Sequence, residues 1–293
     1  MTRTEREGLA FALAEAGAVG LVPAFSKYVV ASLDPLLYSA AAVTVAACVS
    51  VAFASARGEA GQIFRVRWIP WLIPIALLGT TATTLLILYG ARLTDGVSTA
   101  LLLQIEPAYS IALAWAVHRS RAPARQLIGT ALVILGVGFV LWDGSIRIGA
   151  GGVLILLVPL GWQLSHVLAL RVMPPMSPYA LTAARYVYGG GALVLAQIFF
   201  GTAPVSTLGA RGAGLALFHG VVLFFCGTLF WYETIRRLEL ARATAIVTPA
   251  EPLLSLILVW VVLGGLPNLW QMAGIALVLP GLWLVVRRKP PRP

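Results

Sequence analysis

Apolar residues dominate ten long stretches of the chain, and charged residues, prolines or glycines separate them. The stretches cover residues of about 8–31, 35–56, 68–91, 96–118, 124–142, 152–172, 178–200, 212–235, 242–264 and 270–286. A helix needs about 20 apolar residues to cross the hydrocarbon core of a bilayer, and most of the stretches reach that length. Because they are too long for strands, the pattern predicts an all-α polytopic membrane protein with ten transmembrane helices.

Composition supports this prediction and excludes a soluble domain. The chain has 293 residues, of which 59% are hydrophobic and 11% are charged, and its mean hydropathy is +0.90. Ordinary soluble domains carry about 25% charged residues. Ten spans and their loops account for nearly the whole length, so we expect no separate catalytic domain. The charged and then apolar N-terminus is interpreted as a retained first span because it lacks a clear small-residue cleavage site.

The basic residues are distributed unevenly between the two sides of the predicted membrane. Sixteen of the 21 lysines and arginines lie in the termini and the loops on one side, and three lie in the loops on the other. Short cytoplasmic loops are enriched in lysine and arginine, so both termini are predicted to be cytoplasmic in a bacterial-type inner membrane. The net charge of +10 is therefore explained by the basic residues of the cytoplasmic side, and no nucleic-acid partner is expected.

The second half of the sequence repeats the first. With an offset of 145 residues, 96–140 aligns without gaps with 241–285, and 15 of the 45 positions are identical. The polar and glycine identities include Thr99/Thr244, Glu106/Glu251, Ser110/Ser255, Gln126/Gln271, Gly129/Gly274 and Gly136/Gly281. The predicted units are residues 1–145 and 146–293. Because each holds five helices, an odd number, the second unit is predicted to be inverted relative to the first, with a cavity at the interface between the units.

One glutamate lies near the predicted midplane in each unit. Glu106 and Glu251 occupy the fourth and ninth stretches, where an ionisable side chain costs roughly 2.5–3.5 kcal/mol on insertion scales and should face a cavity or a partner. Each is followed by a proline, Pro107 or Pro252, which disfavours helical geometry at the glutamate. Pro249 adds to this in the ninth helix, so helix breaks are predicted at both positions and the stronger break in the ninth.

Further polar residues continue these two helical faces. A threonine precedes each glutamate by seven positions (Thr99, Thr244), and a serine follows each by four (Ser110, Ser255), spacings that keep side chains on one face. Three interpretations of the glutamates remain open. They are proton sites or contacts for a substrate amine, neutral acids bonded to freed carbonyls, or structural pivots.

The sixth helix contributes a weaker candidate patch. Trp162 lies near the centre of its span, with Gln163 and His166 beside it. The tryptophan could offer an apolar wall to a ligand, while helix packing explains His166 equally well. Lys27 and Arg185 lie nearer the ends of their spans, and snorkelling to the interface accounts for both.

Sequence signals for catalysis and cofactors are missing. The chain has no HExxH, GxSxG or P-loop motif and no aspartate-rich DxxxD pair, and its three histidines lie in three different stretches. The sequence therefore predicts no catalytic residue, no metal ligand and no cofactor, and it does not indicate an enzyme.

The combination of these features resembles a known family. Ten spans, the repeat of five, and the segments LLLQIEPAYSIALAW and TPAEPLLSLILVW, each followed by a Q-x-x-G spacing at Gln126 and Gln271, are similar to the EamA-type members of the drug/metabolite transporter superfamily. The resemblance covers essentially the whole chain. It implies a basket of ten helices around a central cavity, with helices five and ten outside, and a pathway role for the stretches around Glu106 and Glu251.

The function expected from these observations is secondary transport. The sequence favours an exporter of amino acids, including aromatic or apolar ones, or of related small metabolites, working by alternating access, with protons as a candidate coupling ion. Alternatives are an exporter of other metabolites or drugs, a membrane-embedded enzyme and a channel. The expected partners are the lipid bilayer and a small-molecule substrate, and the expected assembly is a monomer or a weak homodimer.

Overall fold

The fold is a bundle of apolar helices. The computed structural model describes residues 3–119, 122–142, 149–173, 175–238 and 240–286. Within these ranges the helices are α1 (Arg3–Val30), α2 (Pro35–Ala56), α3 (Ile69–Leu93), α4 (96–118), α5 (Ala124–Val140), α6 (Ala150–Val172), α7 (Pro178–Phe200), α8 (Val205–Arg237), α9 (Leu240–Leu263) and α10 (Leu269–Val286). The prediction of ten helices is confirmed for the described part of the chain, whereas the predicted boundary between the two units, at 145 and 146, lies outside it.

Several helices can cross a bilayer. In the described residues, α1, α2, α3, α6 and α8 are long and apolar enough to span a membrane by length and composition. Large apolar side chains such as Ile198, Phe199 and Phe200 on α7 are more than 60% exposed, as expected where lipid replaces water as the solvent. These observations indicate a multi-pass membrane protein.

Equivalent helices of the two predicted units begin in the same way. Asp34 caps α2 by accepting a hydrogen bond from the Leu37 amide at 2.9 Å, and Ser177 caps α7 by accepting one from the Ala180 amide at 3.1 Å. A proline follows each cap at the first helical position, where its missing N–H has no intrahelical partner to lose. The short polar segment before each helix therefore determines where it starts.

Helices α5 and α10 pack against each other through their glycines. A Cβ atom placed on Gly129 would lie 2.6 Å from the Gly281 carbonyl oxygen, and one on Gly136 would lie 2.8 Å from that of Gly274. Since the residue number rises along one helix as it falls along the other, the pair is antiparallel. Glycines at these positions permit the close approach of two membrane helices.

The other extensive helix contacts join α2 to α7, α1 to α8 and α9, and α3 to α6. Three tyrosines, Tyr38, Tyr186 and Tyr232, are fully or almost fully buried between helices. Helices α3 and α8 each contain a π-helical segment, Leu77–Ala82 and His219–Cys226, which the sequence did not predict. Such segments widen the helix and free backbone carbonyls for other donors.

Candidate functional site

A cavity of about 670 Å³ lies among the helices. Every helix except α2 contributes to its wall; among the lining residues are Glu15 (α1), Thr80 (α3), Glu106 (α4), Gln126 (α5), Trp162 (α6), Arg185 (α7), Trp231 (α8), Glu251 (α9) and Val285 (α10). The two glutamates predicted to face the interior, one from each half of the sequence, thus line the same cavity.

The acidic part of the wall contains a third carboxylate. Glu15 is 6% exposed and lines the same cavity as Glu106 and Glu251. Its Oε2 atom is buried and has no hydrogen-bond partner among the described residues. In the sequence, Glu15 is a charged residue within an apolar span. Its place beside the repeated glutamates could not be inferred from the repeat.

Glu106 is held by the sixth helix. The Gln163 side-chain amide donates a hydrogen bond of 2.5 Å to Oε1 of Glu106, so two predicted site residues meet in the structure. Helix α4 is α-helical over Gly96–Leu102, changes to a 3₁₀ turn at Leu103–Ile105 and resumes at Glu106. The 3₁₀ turn lies where the sequence predicts a break before Pro107, and it positions Glu106 at the start of an α-helical segment. Pro107 and Ser110 line the cavity beside it.

The equivalent part of α9 differs. This helix runs without interruption over Leu240–Leu263, so the prolines at 249 and 252, where the stronger break is predicted, do not end the helix. A proline in a membrane helix removes one backbone donor, and the helix can absorb the loss as a bend without ending. Pro252 and Ser255 are buried and do not line the cavity. The side chains of Thr244 and Pro249 lie outside the described part of the structure.

Thr99 also lies away from the cavity. It is fully buried, and its hydroxyl donates to the Asp95 carbonyl at 2.8 Å, one turn back in the chain. This local bond satisfies the hydroxyl within its own helix. The structure therefore does not bring Thr99 together with Glu106, although both were predicted to share the polar face of the helix.

The predicted patch on α6 lines the cavity. Trp162, Gln163 and His166 all contribute to its wall. The His166 ring packs on Trp231 with centroids 5.6 Å apart. Trp231 was absent from the predicted site because its position in α8 shows no distinguishing sequence pattern. The aromatic rings provide a broad apolar surface next to the carboxylates.

Arg185 does not snorkel to the interface, so that interpretation is wrong. It is 6% exposed and lines the cavity. Its Nε donates to Thr80 Oγ1 at 2.9 Å, and Nη2 donates to the Gly79 carbonyl in the π-helical segment of α3. The next residue, Tyr186, donates to the Phe224 carbonyl at 2.8 Å in the π-helical segment of α8. The freed carbonyls thus supply anchors that sequence spacing does not reveal.

A polar cluster closes the helix ends farthest from Gln126 and Val285. Asp95, which caps α4, accepts a hydrogen bond from Gln271 of α10 at 3.1 Å, and Gln271 also donates to Ser98 at 3.1 Å. Lys27 donates to the Ala91 carbonyl in the last turn of α3 at 3.0 Å. These bonds join α1 to α3 and α4 to α10 at that end.

Metal chemistry has no support in the part of the chain that the structure describes. No group of three or more histidine, cysteine, aspartate or glutamate side chains there is placed to hold a metal ion. The cavity offers instead carboxyl groups, the guanidinium groups of Arg125 and Arg185, amide and hydroxyl groups and aromatic rings, which suit the binding of an organic molecule.

Comparison with known families identifies the fold. The model of the EamA-like transporter family matches the chain twice, over residues 6–142 and 149–287. The chain belongs to this family. Its members are membrane transporters, so the resemblance seen in the sequence is confirmed.

Individual relatives within the EamA-like family are distant. A probable terminal-alkyne amino-acid exporter from Streptantibioticus cattleyicolor is 26% identical over 82% of this chain and 80% of its own length. An uncharacterized transporter from Bacillus subtilis is 25% identical over 72% of this chain and 70% of its own. A protein of known crystal structure, 16% identical, superposes with a TM-score of 0.68 over 94% of this chain and 95% of that chain, which supports the fold alone.

Proposed function

We propose that this EamA-like protein is a secondary transporter that exports amino acids, including aromatic or apolar ones, by alternating access between two inverted repeats. The observation that carries the proposal is the cavity lined by Glu106 from one repeat and Glu251 from the other. Midplane binding sites at the interface of inverted repeats are a recurrent plan of secondary transporters.

The helix packing supports the inverted arrangement of residues 1–145 and 146–293. Helices α5 and α10 are equivalent in the two repeats and run antiparallel, and the glycine contacts are reciprocal, since Gly129 and Gly274 are equivalent, as are Gly136 and Gly281. The contact of α1 with α8 likewise has its counterpart in that of α6 with α3. Two copies related by an axis in the membrane plane would produce these pairs.

The positions of the lining residues support loading from the cytoplasm. The cavity wall includes Ala122, Arg125, Met173 and Val285 near one set of helix ends. The loops and termini at that end carry most of the basic residues, which the positive-inside rule places in the cytoplasm of a bacterial inner membrane. The Asp95–Gln271 hydrogen bond lies at the opposite end. An exporter in this conformation would accept substrate from inside the cell.

The substrate class rests on the chemistry of the wall. Carboxylates can accept hydrogen bonds from an amine, and Trp162 and Trp231 can pack against an apolar side chain. The amino-acid exporter of Streptantibioticus cattleyicolor is a distant relative and supports the same class. The glutamates are also the groups through which protons would couple to transport.

Counterflow in proteoliposomes tests the proposal. Purified protein is reconstituted in liposomes preloaded with unlabelled phenylalanine, and labelled phenylalanine is added outside. A carrier accumulates label transiently above the equilibrium level, whereas a channel only equilibrates it. Empty liposomes are the control. Absence of counterflow for phenylalanine and for each of the other standard amino acids would reject the substrate class.

A further inference from the structure

Arg185 stands out as a charged group in the cavity wall without a charged partner. Among the described residues, no carboxylate forms an ion pair with it, although three glutamates line the same cavity. A buried charge without a counter-charge is strongly destabilising in a protein interior. An arginine whose purpose was to neutralise the glutamates would pair with one of them. The absence of an ion pair between Arg185 and any of the three glutamates therefore requires another explanation.

The protein holds Arg185 in a fixed orientation but leaves part of it free. A guanidinium carries five N–H donors, and two are used, one on the Thr80 hydroxyl and one on the Gly79 carbonyl. Among the residues that the structure describes, Nη1 has no hydrogen-bond partner, and this atom is not fully buried. The free donors belong to a residue of the cavity wall, and a planar guanidinium with one edge fixed can bind a carboxylate through its other edge.

Helix α6 relates this guanidinium to the acidic part of the cavity. Gln163 contacts Glu106, and Ser165, two residues further on the same helix, lies beside Arg185, since a Cβ placed on Gly79 would touch both the Ser165 hydroxyl and Arg185 Nη2. Two residues correspond to a rise of about 3 Å along a helix. The amine and carboxylate carbon of an α-amino acid are about 2.5 Å apart, and a hydrogen bond of about 3 Å at each end extends its reach. A zwitterion of this size is compatible with the spacing.

We propose that Arg185 binds the carboxylate of the transported substrate while the cluster of Glu15, Glu106 and Glu251 faces its amine. This inference rests on the proposed function and makes it more specific, because it assigns the two charged groups of an amino acid to opposite parts of the cavity. Thr80 and Gly79 act as positioning groups that fix the guanidinium. A substrate lacking the carboxylate leaves Arg185 unpaired and binds more weakly.

Two related probes test the assignment. Labelled phenylalanine is the tracer, and phenethylamine is its analogue without the carboxylate. In the wild-type protein we expect phenethylamine to inhibit phenylalanine counterflow with an affinity at least about tenfold weaker than that of unlabelled phenylalanine, as for loss of a charge-assisted hydrogen bond. In Arg185→Gln, the affinity for phenylalanine should fall to that for phenethylamine, which should itself stay unchanged.

Two variants separate recognition from a structural role. Arg185→Lys keeps the charge but loses the planar pair of donors, so phenylalanine affinity should fall by less than in Arg185→Gln. Arg211→Gln removes an arginine that contacts the exposed Tyr28 hydroxyl and should leave every affinity unchanged. An unchanged ratio of phenylalanine to phenethylamine affinity in Arg185→Gln overturns the inference.

Competition experiments on the wild-type protein test the inference even without the variant. Size-exclusion chromatography shows whether Arg185→Gln folds. If it does not, the competition series in the wild-type protein tests the inference, and equal affinities for phenylalanine and phenethylamine overturn it. Amino-acid counterflow with no discrimination between the two probes rejects only the role of Arg185. Absence of counterflow for every standard amino acid rejects the proposed function itself.

Discussion

Helices α4 and α9 carry the same Glu-Pro pair and the same following serine, yet these residues have different surroundings. Glu106 accepts a hydrogen bond from Gln163 and Ser110 is exposed in the cavity wall. Glu251 accepts no hydrogen bond from a described residue, and Ser255 is 3% exposed beside Gly20 of α1. By contrast, the glycine contacts of α5 and α10 are nearly the same in both directions.

This difference indicates where the repeats deviate from symmetry. The peripheral pair α5 and α10 keeps the symmetry of the sequence, while the helices around the cavity depart from it. Alternating access requires such a departure, because a perfectly symmetric arrangement would present the same opening to both sides of the membrane. We infer that the environments of α4 and α9 exchange during the transport cycle.

Substitution of the two glutamates tests that exchange most strongly. We expect Glu106→Gln and Glu251→Gln each to reduce phenylalanine counterflow by about tenfold or more, since each replaces a carboxyl group that faces the substrate amine. If protons are coupled through these groups, both variants should also lose the effect of a pH gradient on flux. Initial rates in proteoliposomes measure this.

Glu7→Gln is the control for these substitutions because Glu7 lies near the start of α1, and its side chain is 43% exposed. It should leave the rate within about twofold, as is typical of a substitution remote from the site. Loss of activity in only one of the two cavity variants would show that the repeats do not exchange roles.

The symmetric region is tested by adding methyl groups. Gly129→Ala and Gly274→Ala each place a Cβ within 3 Å of a facing helix, so we expect both to lower the free energy of unfolding by about 1–3 kcal/mol and by similar amounts. Gly138→Ala, where a Cβ meets nothing within 4 Å, should raise it by up to about 1 kcal/mol. Thermal unfolding in detergent measures all three, and a large difference between Gly129→Ala and Gly274→Ala contradicts the symmetry of this contact.

The paired serines give a third comparison. Ser255→Leu inserts a larger side chain where α9 approaches α1 at Gly20, so we expect a loss of stability of about 1–3 kcal/mol. Ser110→Leu lies in the cavity wall and should change stability by less than about 0.5 kcal/mol while slowing counterflow. A larger loss of stability in Ser110→Leu than in Ser255→Leu would mean that the packing of α4 and α9 is exchanged in the resting protein.

The smallest effect is expected at the π-helical segments. Tyr186→Phe removes the hydrogen bond to the Phe224 carbonyl and should lower the free energy of unfolding by about 0.5–1.5 kcal/mol. Because Tyr186, unlike Arg185, is not assigned to the substrate, the ratio of phenylalanine to phenethylamine affinity should stay at its wild-type value. A change in that ratio would contradict the distinct roles assigned to these neighbouring residues.

The sequence predicts the helices well because apolar length and capping are local properties. Asp34-Pro35 and Ser177-Pro178 lie at helix starts in the structure, and the repeat indicated that Glu106 and Glu251 would both face the interior. It did not predict the places of Glu15 and Arg185, because each depends on contacts between helices distant in sequence. The π-helical segment of α3, whose Gly79 carbonyl and Thr80 hydroxyl hold Arg185, is likewise a product of packing, and no residue pattern in α3 predicts it.

The central claim is that one cavity opens alternately to the two sides of the membrane, and the accessibility of position 110 tests it most directly. In protein with Cys48 and Cys226 replaced by serine, Ser110→Cys is treated with a membrane-impermeant thiol reagent from each side in turn. The account predicts labelling from the cytoplasmic side in the absence of substrate, and from the opposite side only when amino acid is being transported. Labelling from both sides at once without substrate, or never from the outer side, would contradict it.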